Sequence, residues 1–301
     1  MSLRILRAGP LTTVQDLGRP GLAHLGVGHS GAADRPAHRL ANRLVGNPES
    51  AATLETTLAG LTLTTDEPAW LVLTGAPAPL TTDVGPIAPG APTYLPPGAT
   101  VAVGMPLTGL RSYLAVRGGI VVEPVLGSRS TDVLAHLGPD PLAEGDLLPV
   151  GEAPGTWTAP VDHAPQPPIP DEPVLDVFPG PRDDWVTAAA LDRLAGTSWE
   201  VSADSNRVGV RLAGPRLERA AGELPSEGMV AGAVQVPPDG QPILFLADHP
   251  VTGGYPVIGV LSAEALAAAG QLRPGTRCRL RLRRTLDGGA ARPGSAGILE
   301  P

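Results

Sequence analysis

Lysine is missing from all 301 residues of the chain, so each of its 22 basic residues is an arginine. Without lysine, the chain cannot carry biotin on a lysine side chain and cannot form a lysine Schiff base with a substrate. A P-loop is also excluded, because that motif requires a lysine before its Ser or Thr. The missing residue type therefore removes three common kinds of cofactor or catalytic site.

Cysteine and long apolar runs are scarce as well. The single Cys278 excludes an internal disulfide and suits a reducing compartment. The N-terminus lacks the apolar run of a signal peptide, and no run has membrane-spanning length, so we expect a cytoplasmic protein without a membrane partner. The net charge of −8 argues against a nucleic-acid partner. The six histidines are scattered without metal-ligand spacing, which predicts no metal site.

Glycine and proline, in contrast, are abundant, with 38 and 36 copies. Such a content can signal disorder, but a hydrophobic share of 42% indicates a packed protein. Together these values favour many short strands joined by tight turns. The chain length allows one large core or two smaller ones.

Three short helices are predicted, over residues 34–45, 184–195 and 263–269. Apolar residues recur at helical spacing in the first, which has Pro36 in its first turn and Gly46 after its end. Ser262 is the expected N-cap of the third, and Gly270 its stop.

Most of the remaining chain reads as strands. Short β-rich segments bounded by turn residues predict strands at 71–74, 100–103, 112–116, 174–178, 208–212, 231–236, 243–247 and 276–284. In the last of these Cys278, Leu280 and Leu282 alternate with arginines, which places Cys278 in a core and the arginines in solvent.

The organisation expected is two β-rich lobes, at residues 1–150 and 174–286. Between them residues 151–173 hold seven prolines without periodicity, which is typical of an extended, semi-rigid linker. Residues 287–301 are expected to be a disordered tail.

The end of the strand at 243–247 is the most promising site. It stops at Asp248-His249 and continues into Thr252-Gly253-Gly254-Tyr255. His249 can transfer protons near neutral pH, with Asp248 orienting it or binding substrate. Gly253 and Gly254 can adopt positive φ and present N–H groups to an anion. The alternative is a hydrogen-bonded strand end with no chemistry.

A second glycine-bearing loop, Gly26-Val27-Gly28-His29-Ser30-Gly31, precedes the first helix. It matches the dinucleotide pattern, but strands and helices do not go on alternating, so we reject that reading. His29-Ser30-Gly31 leaves a serine nucleophile open. Asp34 is a helix cap, or it helps to present the loop to a carboxylate or phosphate at the helix N-terminus.

Two further residues have equally local explanations. Arg129, in a Gly-Ser-Arg-Ser loop, can grip a carboxylate in a bidentate manner or form a structural ion pair with Asp132. Asn206 is a substrate contact or a turn former. We expect the segments 28–34, 127–130, 223–228 and 248–255 to line one cleft.

Five segments resemble, in order, the carboxyltransferase-type family that contains allophanate hydrolase subunit 2 and the C subunit of 5-oxoprolinase. They are TTVQDLGRPGLAHLGVGHSGAADRPAHRLANRLVGN at 12–47, GSRSTD at 127–132, SNRVG at 205–209, ELPSEG at 223–228 and QVPPDGQPILFLADHPVTGGYPVIG at 235–259. The family's usual SGAMD, SNRMG and DHQTTGGYP stand here as SGAAD, SNRVG and DHPVTGGYP. The last change weakens any role for side chains at positions 250 and 251.

The resemblance implies a mainly β fold of two cyclophilin-like β-barrel lobes with a few short helices. It implies a cytoplasmic C subunit of an ATP-dependent 5-oxoprolinase, an amide hydrolase. Such a chain works with a partner like the B subunit of 5-oxoprolinase, and with ATP, to activate 5-oxoproline. A third, hydrolytic subunit then completes ring opening to glutamate.

The resemblance and the motifs together also indicate which residues bind the substrate. The expected substrate-binding residues are His29, Ser30, Asp34, Arg129, Asn206, Glu227, Thr252, Gly253, Gly254 and Tyr255.

Two alternatives stay open. One is the carboxyltransferase component of a biotin-dependent urea or amide carboxylase, whose biotin must be attached to another chain. The other is a non-catalytic regulator that binds a sensor-kinase inhibitor.

Overall fold

The computed structural model describes residues 1–83, 85–157, 161–220 and 222–283, which form twenty strands and three α-helices. The predicted mainly β class is confirmed. No helix in these ranges has the length and apolar character needed to cross a membrane.

The N-terminal strands make two sheets. Their bounds are β1 Ser2–Ala8, β2 Leu11–Gln15, β3 Thr53–Thr57, β4 Leu61–Thr65, β5 Ala69–Gly75, β6 Leu80–Thr82, β7 Gly85–Ile87, β8 Thr93–Leu95, β9 Thr100–Val103, β10 Arg111–Val116 and β11 Leu147–Pro149. One sheet has the order β11-β1-β4-β9-β6-β7, and the other β2-β3-β10-β5-β8. Alternate residues such as Leu3 and Ile5 on the first sheet, and Leu71 and Leu73 on the second, share one apolar core.

The C-terminal strands close into a barrel with the order β12-β19-β16-β17-β14-β13-β20. The bounds in this part are β12 Val174–Pro179, β13 Ser198–Val201, β14 Gly209–Ala213, β15 Glu227–Gly228, β16 Ala233–Gln235, β17 Ile243–Phe245, β18 Thr252–Gly253, β19 Val257–Leu261 and β20 Arg277–Leu282. A separate two-stranded ribbon joins β15 to β18. Trp199 and Cys278 lie in the barrel core, and Cys278 is fully buried as predicted. The C-terminal lobe is thus a closed barrel, whereas the strands of the N-terminal lobe pair into two sheets.

Local capping decides the helix bounds. α1 (Arg35–Leu44) begins after Asp34, whose side chain accepts from the Ala37 N–H, and α3 (Ala263–Ala269) begins after Ser262, which caps Ala265. The prediction that the second helix starts at residue 184 is wrong. α2 spans Ala188–Gly196 because Thr187 caps the Ala190 N–H, while residues 183–185 form a separate 3-10 turn.

β20 confirms the predicted alternation. Its arginines are exposed and meet acidic side chains, as in the Arg279–Glu172 and Arg281–Asp176 pairs. Residue 284 of the predicted strand and the predicted disordered tail lie outside the described residues. The described parts of the Pro-rich segment 151–173 contain neither helix nor strand.

The two lobes meet through polar side chains. Gln271, after α3, accepts from the Leu110 and Arg111 N–H groups and donates to Asp34 and to the Arg111 carbonyl. Arg273 donates to the carbonyls of Pro106 and Gly109. These bonds connect the strand β10 and the start of α1 to the barrel, so the two lobes have a defined relative position.

Candidate functional site

A cavity of about 260 Å³ lies between the lobes, beside the loop that precedes α1. Its polar lining consists of Arg19, His29 and Arg35 from the N-terminal lobe and His249 from the C-terminal lobe. Met229 and Val251 supply apolar surface on the barrel side. Larger cavities occur elsewhere, but none of the four compared with it joins two imidazoles to two guanidinium groups as this one does. We therefore take it as the candidate active site.

The loop that carries His29 is held in an unusual conformation. Ser30 has a φ of 52°, which is uncommon for a residue with a side chain and typical of strained functional segments. Gly31 (φ 96°) passes so close to Gly18 that an added Cβ would lie 2.8 Å from the Gly18 nitrogen. The Ser30 N–H donates to the Ala247 carbonyl at 3.1 Å, which ties the loop to the end of β17. This packing fixes the position of His29 at the cavity.

His29 is held neutral. Arg35 donates a hydrogen bond to its Nδ1, so the neutral ring carries its proton on Nε2. Burial, followed by the charges of Arg35 and His249, lowers the pKa of His29 to about 4. At neutral pH the ring therefore has an Nε2–H that can donate a hydrogen bond.

His249 has the opposite tautomer. Its Nδ1 lies 2.8 Å from the Pro250 carbonyl, and since a carbonyl only accepts, Nδ1 carries the proton. The Nε2 of a neutral His249 then has a free lone pair. Because His29 and His249 line the same cavity, one ring offers a donor and the other an acceptor.

Asp248 faces away from His249, so the prediction that it orients the imidazole is wrong. Its Oδ1 accepts from the Ser30 hydroxyl at 2.8 Å, and its Oδ2 from Arg207 Nε at 2.9 Å and from the Val133 N–H. Neighbouring residues of an extended chain point to opposite sides, which explains why one side chain enters the interior and the other the cavity. Asp248 positions the Ser30 loop instead.

Arg207 is the centre of this buried network. It forms ion pairs with Asp248 and Glu55 and donates from Nη2 to the Gly31 carbonyl at 2.7 Å. Arg111 lies 3.4 Å from Glu55, so two guanidinium groups balance two carboxylates. Burial alone would raise the pKa of Glu55, but Arg207 and Arg111 hold it below its ordinary value. The network joins the Gly31 turn to the barrel without leaving a net charge.

Ser30 does not support a serine-nucleophile reading. Its side chain is fully buried and its hydroxyl is directed to Asp248 and to the Thr131 carbonyl, with no imidazole as a partner. A nucleophilic hydroxyl requires an adjacent base and access to the substrate. Ser30 therefore serves to hold the loop.

Three predicted substrate contacts have structural partners. Asp34 caps α1 and accepts from Gln271, and burial raises the pKa of this carboxyl. Arg129 donates from Nε to the Val122 carbonyl at 2.9 Å, does not line this cavity, and forms no ion pair with Asp132 among the described residues. Asn206 accepts from the Val208 N–H at 2.8 Å, which makes it the turn former of the alternative reading.

The segment 127–130 likewise packs behind the site. The hydroxyls of Ser128 and Ser130 and the Arg129 N–H all bond to the carboxylate of Asp16. Of the four segments expected to line one cleft, the structure brings 28–34 and 248–255 to the cavity, through Gly28, His29, His249 and Val251.

The ribbon of β15 and β18 forms the outer border of the site. Glu227 is ion-paired with Arg182, Thr252 is exposed, and 45% of the Tyr255 surface is exposed. The Met229 N–H donates to the Val251 carbonyl at 2.8 Å, and this bond fixes the positions of both cavity-lining residues. The predicted residues Glu227, Thr252 and Tyr255 therefore lie next to the cavity without lining it. The lining residues on this side are Met229 and Val251, which were not predicted.

Gly253 and Gly254 do not use the positive φ that glycine can adopt, since neither has one. Gly253 is instead needed for close packing, because an added Cβ would lie 2.9 Å from Gln235 Nε2 and 3.1 Å from Met229 Sδ. Gln235 Nε2 itself donates to the Tyr255 carbonyl at 2.8 Å. Gly254 has open space around it, with only the Leu224 carbonyl within 4 Å.

Substitutions at these adjacent glycines should consequently differ. We expect Gly253→Ala to lower stability by about 1–3 kcal/mol through overpacking. Gly254→Ala should be neutral or stabilise by up to about 1 kcal/mol, since it restricts the unfolded chain at a compatible φ. Urea unfolding of both variants measures the difference. Equal losses at the two positions would contradict the packing explanation.

Sequence reasoning missed the arginines of the site. Arg19 and Arg35 flank the predicted loop, at Gly18-Arg19-Pro20 and Asp34-Arg35-Pro36, and Arg207 follows the predicted Asn206. For Arg19 and Arg35 the available signal is an arginine next to Gly or Pro within a motif segment, whereas Arg207 lies between Asn206 and Val208 and lacks that signal. The signal does not separate an exposed arginine from a buried one.

Comparison with known proteins identifies related sequences. The family model described as "Carboxyltransferase domain, subdomain A and B" matches residues 25–282. The C subunit of the Escherichia coli 5-oxoprolinase is 40% identical over 270 residues, which cover 86% of this chain and 84% of that protein. The urea amidolyase of Saccharomyces cerevisiae is 32% identical over 297 residues, covering 91% of this chain and 16% of that protein.

A solved structure has the same fold. The crystal structure of TTHA0988 superposes with a TM-score of 0.85 at 35% identity and covers 93% of this chain. The chain spans 55% of the length of that protein. At 93% coverage the likeness extends over both lobes.

Proposed function

The chain belongs to the family of carboxyltransferase domains with subdomains A and B, and we propose that it is the C subunit of an ATP-dependent 5-oxoprolinase. The observation that carries this proposal is the 40% identity to the C subunit of the Escherichia coli enzyme over most of both chains. The urea amidolyase relative is less similar, at 32%. The higher identity favours the 5-oxoproline substrate over urea.

The proposed subunit works in a cytoplasmic complex. A chain like the B subunit of 5-oxoprolinase, here termed the B-type partner, supplies the remainder of the 5-oxoproline activation site and the ATP. A third, hydrolytic subunit finishes ring opening to glutamate. The missing P-loop is consistent with ATP being held by the B-type partner. No lysine is present to carry biotin, so no covalent biotin is expected on this chain.

The two histidines suit the activation of an amide. The Nε2 lone pair of His249 can accept the N–H proton of a lactam, and the Nε2–H of His29 can stabilise the negative charge that then builds on the lactam oxygen. The lactam oxygen becomes a better nucleophile as the proton leaves. Residues Met229 and Val251 exclude water from one side and so strengthen these interactions.

A urea or amide carboxylase component is the second candidate, and the urea amidolyase relative supports it. Removal of an N–H proton by His249 would make an amide nitrogen nucleophilic toward a carboxyl donor, so the same histidine pair serves either reaction. The two candidates differ in substrate and in the need for a separate biotin carrier.

The pure chain should show little or no turnover by itself, because it has no P-loop and because Ser30 is buried without an adjacent base. The test is ATP consumption by the chain alone, by its B-type partner alone and by the two together, with 5-oxoproline or urea as substrate. We expect consumption only in the mixture and only with 5-oxoproline. Robust ATP-dependent hydrolysis of 5-oxoproline by the lone chain would refute the subunit role, and a response to urea would favour the second candidate.

A further inference from the structure

We propose that the cavity between the lobes holds a carboxylate of the substrate between Arg19 and Arg35, which selects carboxylate-bearing lactams over neutral amides. This inference deepens the proposed function and rests on it for the identity of the lactam. It replaces Arg129, which the sequence favoured as the carboxylate grip, because Arg129 does not reach the cavity and bonds to the Val122 carbonyl.

The first observation is an incompletely bonded arginine. Arg19 lines the cavity with only 2% of its surface exposed. Its Nη2 donates to the Ser130 carbonyl and its Nε to the Val125 carbonyl, but its Nη1 has no hydrogen-bond partner among the described residues. Buried donors on a charged group are costly when they lack an acceptor, and native proteins keep few of them. An acceptor supplied by a ligand would remove this cost.

The second observation is the charge of the lining. Neither Arg19 nor Arg35 has a carboxylate within 4.0 Å in the part of the chain that the structure describes. The residues around the cavity include no Asp or Glu at all. In a chain of net charge −8, the wall therefore concentrates two unpaired guanidinium groups. This arrangement contrasts with Arg207 and Arg111, which share a buried network with two carboxylates.

The third observation is the order of groups along the wall. Arg35 donates to His29 Nδ1, which puts one cationic group next to the His29 ring, and both residues line the cavity. A lactam that places its carboxylate against the arginines would bring its amide toward the histidine pair. 5-Oxoproline has both groups on one ring, whereas urea has no carboxylate. The arginines thus provide a physical basis for substrate selection.

The experiment compares two ligands that differ only in the carboxylate. 5-Oxoproline and 2-pyrrolidinone are titrated by calorimetry into the full-length chain with its B-type partner. We expect 5-oxoproline to bind at least about tenfold more tightly, since charge-assisted hydrogen bonds to a guanidinium are lost with the neutral lactam. Arg19→Gln and Arg35→Gln should each weaken 5-oxoproline binding by about 10- to 100-fold, and Arg19→Gln, which does not touch the His29 hydrogen bond, should leave 2-pyrrolidinone binding unchanged.

Arg43→Gln is the matched control, because it removes the same charge from the exposed end of α1, where Arg43 pairs with Glu49. Its 5-oxoproline affinity should equal that of the wild type. If Arg19→Gln does not fold, Arg35→Gln still tests the site. Arg35 bonds to a side chain and not to the backbone, so its replacement should disturb the fold less. Equal affinity for the two lactams, absence of binding by either, or wild-type affinity in Arg35→Gln overturns the carboxylate site.

Failure of this site and failure of the proposed function give different results. If the complex consumes ATP with 5-oxoproline while both arginine variants keep the wild-type KM, the carboxylate site is wrong and the function stands. If 5-oxoproline binds in an arginine-dependent manner but stimulates no ATP consumption in the complex, the site stands and the 5-oxoprolinase assignment is wrong.

Discussion

Replacing Arg207 by methionine should lower the free energy of unfolding by about 3–5 kcal/mol, the usual cost of removing one partner from a buried ion pair. Methionine retains most of the side-chain volume but not the charge. Asp248 would lose its guanidinium partner, and Glu55 would keep Arg111, at 3.4 Å, as its one cationic partner among the described residues. The Gly31 carbonyl would also lose its donor. Urea unfolding followed by circular dichroism measures the change.

The control is Arg281→Met, which removes an ion pair of the same type from the surface. Arg281 is exposed, and Asp176 retains Arg283 as a partner, so a much smaller loss than for Arg207→Met is expected. The double variant Arg207→Met/Asp248→Asn should recover part of the loss, because it removes one of the carboxylates left without a partner. Equal losses in Arg207→Met and Arg281→Met would show that the buried network does not stabilise the contact between lobes.

Local chemistry made much of the fold predictable. Asp34 and Ser262 mark helix starts by capping groups three residues away, and the alternation around Cys278 identifies the buried face of a strand. The second helix was misplaced because the apolar spacing continues across residues 184–187, while the cap at Thr187 determines the start. Signals that act within one turn or one strand can be recognised in the sequence. Where two such signals compete, as apolar spacing and the Thr187 cap do here, the sequence does not show which one determines the helix start.

Long-range contacts in the site were not predictable in the same way. Arg207 reaches Glu55 across 152 residues, and nothing in Ser205-Asn206-Arg207 distinguishes the buried arginine from the exposed asparagine. Asp248 could orient His249 only if the strand end were a loop in which the two side chains converge, yet the partners of Asp248 are Ser30 and Arg207. The two segments that meet at the cavity were singled out because each combines glycine with polar groups, a local feature. Which side chains face the cavity depends on how the lobes pack.

His249→Ala should reduce kcat of the assembled complex by about 10²- to 10⁴-fold, the range for loss of a general acid or base. The reason is the free Nε2 of His249, which the Nδ1 bond to the Pro250 carbonyl leaves as a proton acceptor in the cavity. His249→Gln tests the chemistry more strictly, since glutamine can form hydrogen bonds but cannot take up a proton near neutral pH. If His249 acts as a base, the glutamine variant should lose as much kcat as the alanine variant.

Controls separate this loss from a change in structure. His163→Ala removes an exposed histidine from the Pro-rich segment and should alter stability by no more than about 0.5 kcal/mol, with wild-type kcat. Thermal melts and 5-oxoproline affinity of His249→Gln should remain near those of the wild type, because the buried Arg207 network and the two cavity arginines are untouched. If His249→Ala turns over like the wild type, then the strand end at Asp248-His249 is architecture, and proton transfer in this complex depends on another group.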